Sequence, residues 1–369
     1  MNILYIEPYF SGSHKQWALS LKNHTKHNID IISLPGRKWK WRMHGGAVTL
    51  AEKFLKNNKS YDLILASDIL NLPVFKSICC DSIKNTKIVI YFHENQITYP
   101  WSPEDDDPKM RRDLHYAFIN YSSSLVSSWN FFNSDYHLNS YINGLKIYLN
   151  KMPDFNNVET IQNIRDKSSV LHLGCDLLKM KTLNKSINDT PIILWNHRWE
   201  YDKNPIDFFE ALYRIKKEGA VFKLVILGEK YSKYPSVFDE AKLKLNDEII
   251  HFGYCKSYEE YVSWLNKTDI IPVTSNQDFF GVSIVEAIYM NNYPILPKRL
   301  SYTELINIDN HPEIFYNTNE ELYRILLNCI INYKDLRKST IKYRELINRF
   351  DWSIIIREYD EKFEFIYNS

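Results

Sequence analysis

Residues 2–15 read NILYIEPYFSGSHK. Asn2–Ile6 is a short apolar run, and the chain turns polar within a few residues. Such a run suits a buried strand and is too short for the apolar core of a signal peptide. PYFSGSHK then reads as a tight polar loop, and WALSLKNH (17–24) as a helix. The same rhythm continues outward. IDIISL (29–34) is a second strand, AVTLAEKFLKN (47–57) an amphipathic helix, and YDLILAS (61–67) a third strand leading into NLPVFKSICCD. TKIVIYF (86–92) is a strand that ends at His93. Near-continuously apolar strands alternating with helices are what a parallel α/β sheet requires.

The segment 99–113 (YPWSPEDDDPKMRRD) is irregular, and its acidic run Glu104–Asp107 reads as a solvated loop. A helix over 114–128, a short strand in WNFFNS, a helix over 135–150 and a strand in SSVLHLG complete the first half. Residues 176–190 carry no firm periodicity and read as a linker. The rhythm restarts at PIILWNHR and runs through FKLVILG, DEIIHFG, TDIIPVTS and YPILP, with helices between them. Helices near 320–332 and 336–348 follow, and DWSIIIREYDEKFEFIYN is a strongly amphipathic last helix. The expectation is therefore two α/β domains, 1–175 and 176–348, facing a central cleft. Residues 349–369 form a helix expected to pack back on the first domain. A cleft at the carboxyl ends of parallel strands suits a small-molecule enzyme.

Composition narrows the options. A chain of 369 residues with formal net charge +1 has no global basic field, so a nucleic-acid partner must be met by a local patch. LPGRKWKWRMHGG (34–46) is the best such patch: Arg37, Lys38, Lys40 and Arg42 interleave with Trp39 and Trp41, and no acid lies among them. Alternatively, the tryptophans pack inward and only the charges meet water. With 26 Tyr and 19 Phe, the chain has the aromatic content of a folded protein. The five cysteines form no CxxC pair, which points away from a zinc ribbon or a disulfide framework and toward the cytoplasm. Cys79 and Cys80 read as core packing, and no metal site is expected. No apolar run is long enough to span a membrane.

Four places carry candidate chemistry. Gly12, Ser13, His14 and Lys15 follow the first strand, where backbone amides can meet an anion, although a plain turn is the alternative. His93, Glu94 and Asn95 follow another strand and can meet sugar hydroxyls, or His93 can serve as a base. Arg198 and Lys203 follow the first strand of the second half and can hold the two phosphates of a nucleotide diphosphate. In QDFFGVSIVEA, Asp278 and Glu286 stand on either side of Gly281, which can open the helix bearing Glu286.

Asp278, Phe279, Phe280, Gly281 and Glu286 resemble the acid–x7–acid signature of retaining glycosyltransferases of the GT-B fold, with two Rossmann-like α/β domains. Arg198 and Lys203 match that superfamily's phosphate-binding arginine and lysine. The first acid is Asp278 here, where glutamate is usual. IEPYFSGSHKQW, LPGRKWKWRMHGG, YFHENQITYPW, RRDLHYAFINY and FNSDYHLNSY, in that order, resemble the tRNA-queuosine mannosyltransferase family. The resemblance implies transfer of mannose from GDP-mannose to queuosine in the anticodon of aspartate tRNA, without a further cofactor. It implies Gly12 and Ser13 on the donor side, Asp278 and the backbone of Phe279–Gly281 at the donor sugar, and Glu286 at the nucleoside ribose. His93 would lie by the transferred sugar. His14, Lys15, the 37–42 stretch, Glu94, Asn95, Arg111 and Arg112 would serve the acceptor or its RNA. No obligate protein partner is expected. Two rival readings remain: a glycosyltransferase acting on a small molecule, glycan or lipid, and a non-catalytic RNA-binding protein on the same scaffold.

Overall fold

The computed structural model describes residues 1–57, 59–110, 112–180, 188–231 and 233–369. They form two compact units, residues 1–174 with 352–369, and residues 175–351. Part of the expected linker, residues 181–187, lies outside the described residues.

The first unit contains strands β1 (Asn2–Phe10), β2 (Asn28–Pro35), β3 (Leu63–Ser67), β4 (Lys87–Phe92), β5 (Trp129–Phe132) and β6 (Ser168–Val170). They alternate with helices α1 (Gly12–His24), α2 (Trp39–Asn57), α3 (Leu72–Ile78), α4 (Asp113–Val126), α5 (Asp135–Leu149) and α6 (Thr160–Asp166). The sheet order is β2-β1-β3-β4-β5-β6, and its neighbours pair in parallel. The chain goes from β1 to one side, then returns to the other at β3. The β1/β3 junction is thus the switch point, whose carboxyl ends open a crevice.

The second unit contains β7 (Ile192–Asn196), β8 (Lys223–Leu227), β9 (Ile249–Gly253), β10 (Ile270–Pro272), β11 (Tyr293–Pro297) and β12 (Phe315–Tyr316). Its helices are α7 (Pro205–Lys217), α8 (Val237–Lys244), α9 (Tyr258–Lys267), α10 (Val282–Tyr289), α11 (Tyr302–Leu305), α12 (Asn319–Ile331) and α13 (Tyr333–Ile347). The order β12-β11-β10-β7-β8-β9 is the Rossmann order, with its switch point between β7 and β10. Strands β7 and β11 are buried along their whole length, which explains their unbroken apolar sequence.

Several expectations need correction. Strand β1 runs on to Phe10 and so carries Glu7 inside it. Helix α1 starts at Gly12 and not at Trp17: extended Ser11 is its N-cap, and Gly12 takes φ +51° to turn the chain. Helix α2 begins at Trp39, after Lys38 at φ 58°, and not at Ala47, so HGG lies inside the helix. Low helix propensity at glycine suggested loops in both places, and packing overrides it. Gly46 shows how, since a Cβ there would stand 3.2 Å from Pro8 on β1. Helices α6 and α11 and strand β12 are short and were not anticipated. Cys79 is buried as expected, but Cys80 is exposed. The acidic run is not simply solvated: Asp107 is buried, and Lys40 Nζ stands 2.8 Å from Asp105 and 2.5 Å from Asp107.

The last helix, α14 (Trp352–Asn368), belongs to the first unit and packs against α1. Trp352 is buried over Gly174, where a Cβ would come within 2.5 Å of the indole. Trp17 donates its Nε1–H to the Tyr359 hydroxyl (3.2 Å), which donates in turn to the His172 carbonyl (2.7 Å). Tyr359→Phe strips the buried Trp17 N–H of that acceptor. It should cost about 1–2 kcal/mol, read as a lower unfolding temperature and an earlier urea midpoint. An unchanged midpoint would show that this hydrogen bond adds nothing to the hold on α14, leaving it to the apolar contacts and to the Asp360 and Glu364 contacts with Thr25 and Lys26.

Candidate active site

At the β1/β3 switch point the first unit buries a carboxylate completely. Glu7 Oε2 accepts from the Tyr5 hydroxyl (2.7 Å) and stands 2.9 Å from His14 Nδ1. Its Oε1 accepts from the Tyr9 amide (2.8 Å) and the Ser67 hydroxyl (3.0 Å). Burial alone would raise the Glu7 carboxyl, but the adjacent His14 and these hydrogen bonds hold it below its ordinary value. For His14 burial opposes the charge, and the Glu7 carboxylate overrides it, raising the imidazole to about 9. Asp68, just past β3, is pushed up to about 8 by burial, with His14 opposing. Its Oδ1 accepts from the His93 amide at 2.9 Å, while Oδ2 is buried without a partner.

His93 lies 4.2 Å from His14, ring centre to ring centre. Burial, and then the charge on His14, hold it well below the ordinary histidine value, so it is a neutral imidazole. Its Nε2 is buried and unpartnered. The structure therefore brings His14 and His93 together, two residues read separately from the sequence. Glu7, Asp68 and Ser67 were missed. The available signal was an acid ending each of two apolar runs, NILYIE and LILASD.

The other first-unit candidates divide. Gly12, Ser13 and Lys15 are exposed at the start of α1. Glu94 accepts from Gln96 Nε2 at 3.2 Å. Asn95 spends its carbonyl oxygen on the Ile97 and Thr98 amides (3.0 and 2.9 Å), so it folds its own loop, though its Nδ2 is buried and unpartnered. Trp39 packs toward Trp101 and Tyr116, whereas Trp41 is exposed, so the inward-packing alternative holds for Trp39 and not for Trp41. Arg37 and Lys38 are exposed, and Lys40 is committed to Asp105 and Asp107. Arg42 donates its Nε–H to the Pro35 carbonyl (3.2 Å). Arg112 is exposed, 3.9 Å from Asp107, and Arg111 lies outside the described residues.

In the second unit the loops after β7 and β10 meet at the other switch point. Lys203 is buried there, with Nζ 2.7 Å from the Gln277 carbonyl, 3.2 Å from Asp278 and 3.3 Å from Asp202. Thr274 ties the loops together, donating to the Lys203 and Asn204 carbonyls (3.0 and 2.9 Å). Burial would raise Asp278, but Lys203, His197 and the Tyr302 hydroxyl (2.8 Å) hold it below its usual range. Arg198 is 45% exposed at its side chain and lies 3.1 Å from Glu200. Phe279 and Phe280 are buried, so of this pair only the backbone is open to a ligand role.

Gly281 adopts φ +92° as the N-cap of α10. Glu286 on that helix accepts from the Tyr261 hydroxyl at 2.6 Å. Burial pushes its carboxyl up to about 7, the Tyr261 bond opposing and Asp176 assisting. Tyr261, Tyr302 and His197 were not singled out in the sequence. His197 is driven down to about 3 by burial and then by Lys203, and its Nε2 is buried without a partner.

Among the described residues two groups have the residue types for a metal: Glu7, His14 and His93, and His251, Cys255 and Glu260, each with ligand atoms within 4.8 Å of one another. Neither fits well. Both Glu7 oxygens are already engaged, and burial pushes the Cys255 thiol up to about 11, against the thiolate a metal needs.

The Glu7–His14 pair has a measurable signature. The folded pKa of His14 exceeds the ordinary 6.5, so its share of the stabilisation is full below pH 6.5 and is lost as pH rises through about 9, while the share of Glu7, held below its ordinary 4.5, is lost as pH falls below that value. Carbon-13 histidine NMR should show His14 still protonated at pH 8, with His93 neutral throughout. In Glu7→Gln, His14 should titrate at or below 6.5. A His14 midpoint near 6.5 in the unaltered protein would dismiss the ion pair.

Residues 2–175 match the family described as tRNA-queuosine alpha-mannosyltransferase N-terminal, and residues 180–346 match glycosyl transferases group 1. The chain is 31% identical over 370 residues to the tRNA-queuosine alpha-mannosyltransferase of Drosophila melanogaster, spanning 97% of this chain and 95% of that protein. Among solved structures it resembles Anabaena HepE in complex with UDP (TM-score 0.69, 15% identity, 99% of this chain and 100% of that one). It also resembles sucrose-phosphate synthase from Thermosynechococcus elongatus (TM-score 0.73, 11% identity, 100% of both chains). These two likenesses bear on the fold alone.

Proposed function

The chain belongs to the tRNA-queuosine alpha-mannosyltransferase family, and from that premise we propose that it transfers mannose from GDP-mannose to queuosine in the anticodon of aspartate tRNA. It is a glycosyltransferase of the GT-B fold that uses a nucleotide-sugar donor. The observation that carries the proposal is the buried Lys203–Asp278 pair, 3.2 Å apart at the β7/β10 switch point, beside the Gly281 turn into the Glu286 helix. An ammonium and a guanidinium at that crevice suit a diphosphate, and carboxylates beside them suit sugar hydroxyls.

In this reading Arg198 and Lys203 hold the diphosphate. Asp278 and the backbone after it meet the mannose, and Glu286 meets the ribose. Gly12 and Ser13 serve the donor from the first unit. His93, neutral and without a partner on Nε2, accepts or donates a hydrogen bond at the sugar. His14, Lys15, Glu94, Asn95, Arg111, Arg112 and the 37–42 stretch serve the acceptor. The bond from the anomeric carbon to the diphosphate breaks, its electron pair leaving with the phosphate oxygen, where the two cations stabilise it. The acceptor hydroxyl bonds to the anomeric carbon on the same face, and its proton passes to a donor phosphate oxygen. Configuration is retained, with neither a metal nor a protein base. A tRNA acceptor fits the cytoplasm. No helix among the described residues is long and apolar enough to cross a membrane.

The direct test incubates the protein with GDP-mannose and queuosine-containing aspartate tRNA, beside the same tRNA without queuosine, and reads nucleosides by mass spectrometry. A hexose on queuosine alone is expected; donor turnover independent of RNA would favour a small-molecule acceptor. Arg198→Ala should lower kcat/KM by about 100-fold with an unchanged unfolding temperature, because its side chain is nearly half exposed. Full activity in that variant would remove Arg198 from the phosphate site. Glu286 accepts ribose hydrogen bonds best when ionised. Donor KM should therefore fall as pH rises through about 7, and Glu286→Gln should flatten that profile.

A further inference from the structure

Helix α2 contains adjacent glycines, each costing about 1 kcal/mol relative to alanine in a helix interior. Gly46 is explained by the approach of Pro8. At Gly45 the three atoms nearest an added Cβ all belong to the same helix, and its φ is not in the left-handed region. What a Cβ at Gly45 would meet is Trp41, one helical turn earlier: indole atoms Cζ2, Cε2 and Cη2 at 2.7, 2.9 and 3.2 Å. The missing side chain lets the indole lie against the helix. Packing for its own sake would then bury the ring, yet Trp41 is 65% exposed. Trp39, two residues earlier, goes the other way, packing 5.2 Å from Tyr116 and 6.0 Å from Trp101.

The charges divide in the same manner. Lys40 is neutralised by Asp105 and Asp107 and stands over the Trp101 ring at 5.3 Å. Arg37 and Lys38 are exposed, and Arg42 is anchored through its Nε on Pro35. Asp105 and Asp107 are turned to Lys40 and Asp106 to Lys109, and the exposed indole stands in a basic stretch of sequence, between Lys40 and Arg42 with Arg37 and Lys38 just before it. An aromatic face open to solvent and flanked by positive charge is complementary to an unpaired nucleobase and its phosphates.

We propose that Trp41, supported by Gly45, is a stacking platform for one unpaired base of the RNA acceptor, with Arg37 and Lys38 meeting its flanking phosphates. This rests on the tRNA reading above and assigns the contact to one tryptophan of the pair.

The test measures binding of a fluorescein-labelled anticodon stem-loop by anisotropy at fixed salt. Trp41→Ala should weaken binding by about 10-fold or more, and Trp41→Phe should restore part of the loss. Gly45→Leu should weaken binding by lifting the ring while leaving Trp41 in place. Unfolding temperatures of all three guard against misfolding. Equal affinity of the unaltered protein and Trp41→Ala would overturn the proposal, as would a loss that phenylalanine does not recover. If the unaltered protein neither binds nor modifies the tRNA, the acceptor reading itself fails, and the platform with it.

Discussion

A parallel sheet cannot be closed by hairpins; every strand must be carried back over one face by a crossover. Where successive crossovers change sides, the loops at the carboxyl ends diverge and leave a crevice. Each unit of this protein has one such reversal, at β1/β3 and at β7/β10. The candidate chemistry of both units gathers at these two places. Glu7 lies in β1 and Asp68 just past β3, while Lys203 follows β7 and Asp278 follows β10. The strand order thus chooses the sites before any side chain does.

Electrostatics then decides what each crevice can do, and the two differ. The first pairs a buried carboxylate with a histidine that it charges, and keeps a second histidine neutral against it. The second pairs a buried ammonium with two carboxylates and leaves an arginine half in water. A buried ion pair costs desolvation on both partners and is held only where further hydrogen bonds complete it. Tyr5, Ser67 and the Tyr9 amide do this for Glu7; Tyr302 does it for Asp278. These supports carry no motif of their own, so no reading of spacing would find them.

The two parallel sheets were legible because buried strands must be apolar throughout, and nine of the twelve strands among the described residues have four residues or more. Strand β12 has two residues and carries no such pattern. The loops that bear Arg198, Lys203 and Asp278 were legible because each follows a strand directly. The starts of α1 and α2 were not. Glycine and serine argued for loops there, and only Ser11, Gly12 and the approach of Pro8 to Gly46 show why helix wins. The acidic run 104–107 misled for a similar reason. Its partner, Lys40, is more than sixty residues away, beyond the reach of local pattern.

The first unit is discontinuous in the chain, residues 352–369 returning to it after the whole second unit. A ribosome releases its six strands long before it releases its last helix. During synthesis, therefore, the nascent first unit must persist with Trp17 and the Gly174 surface uncovered while the second unit is made and folds. The order of translation and the order of completion run opposite to each other. A nonsense codon within 352–369 would harm the unit whose sheet is made first.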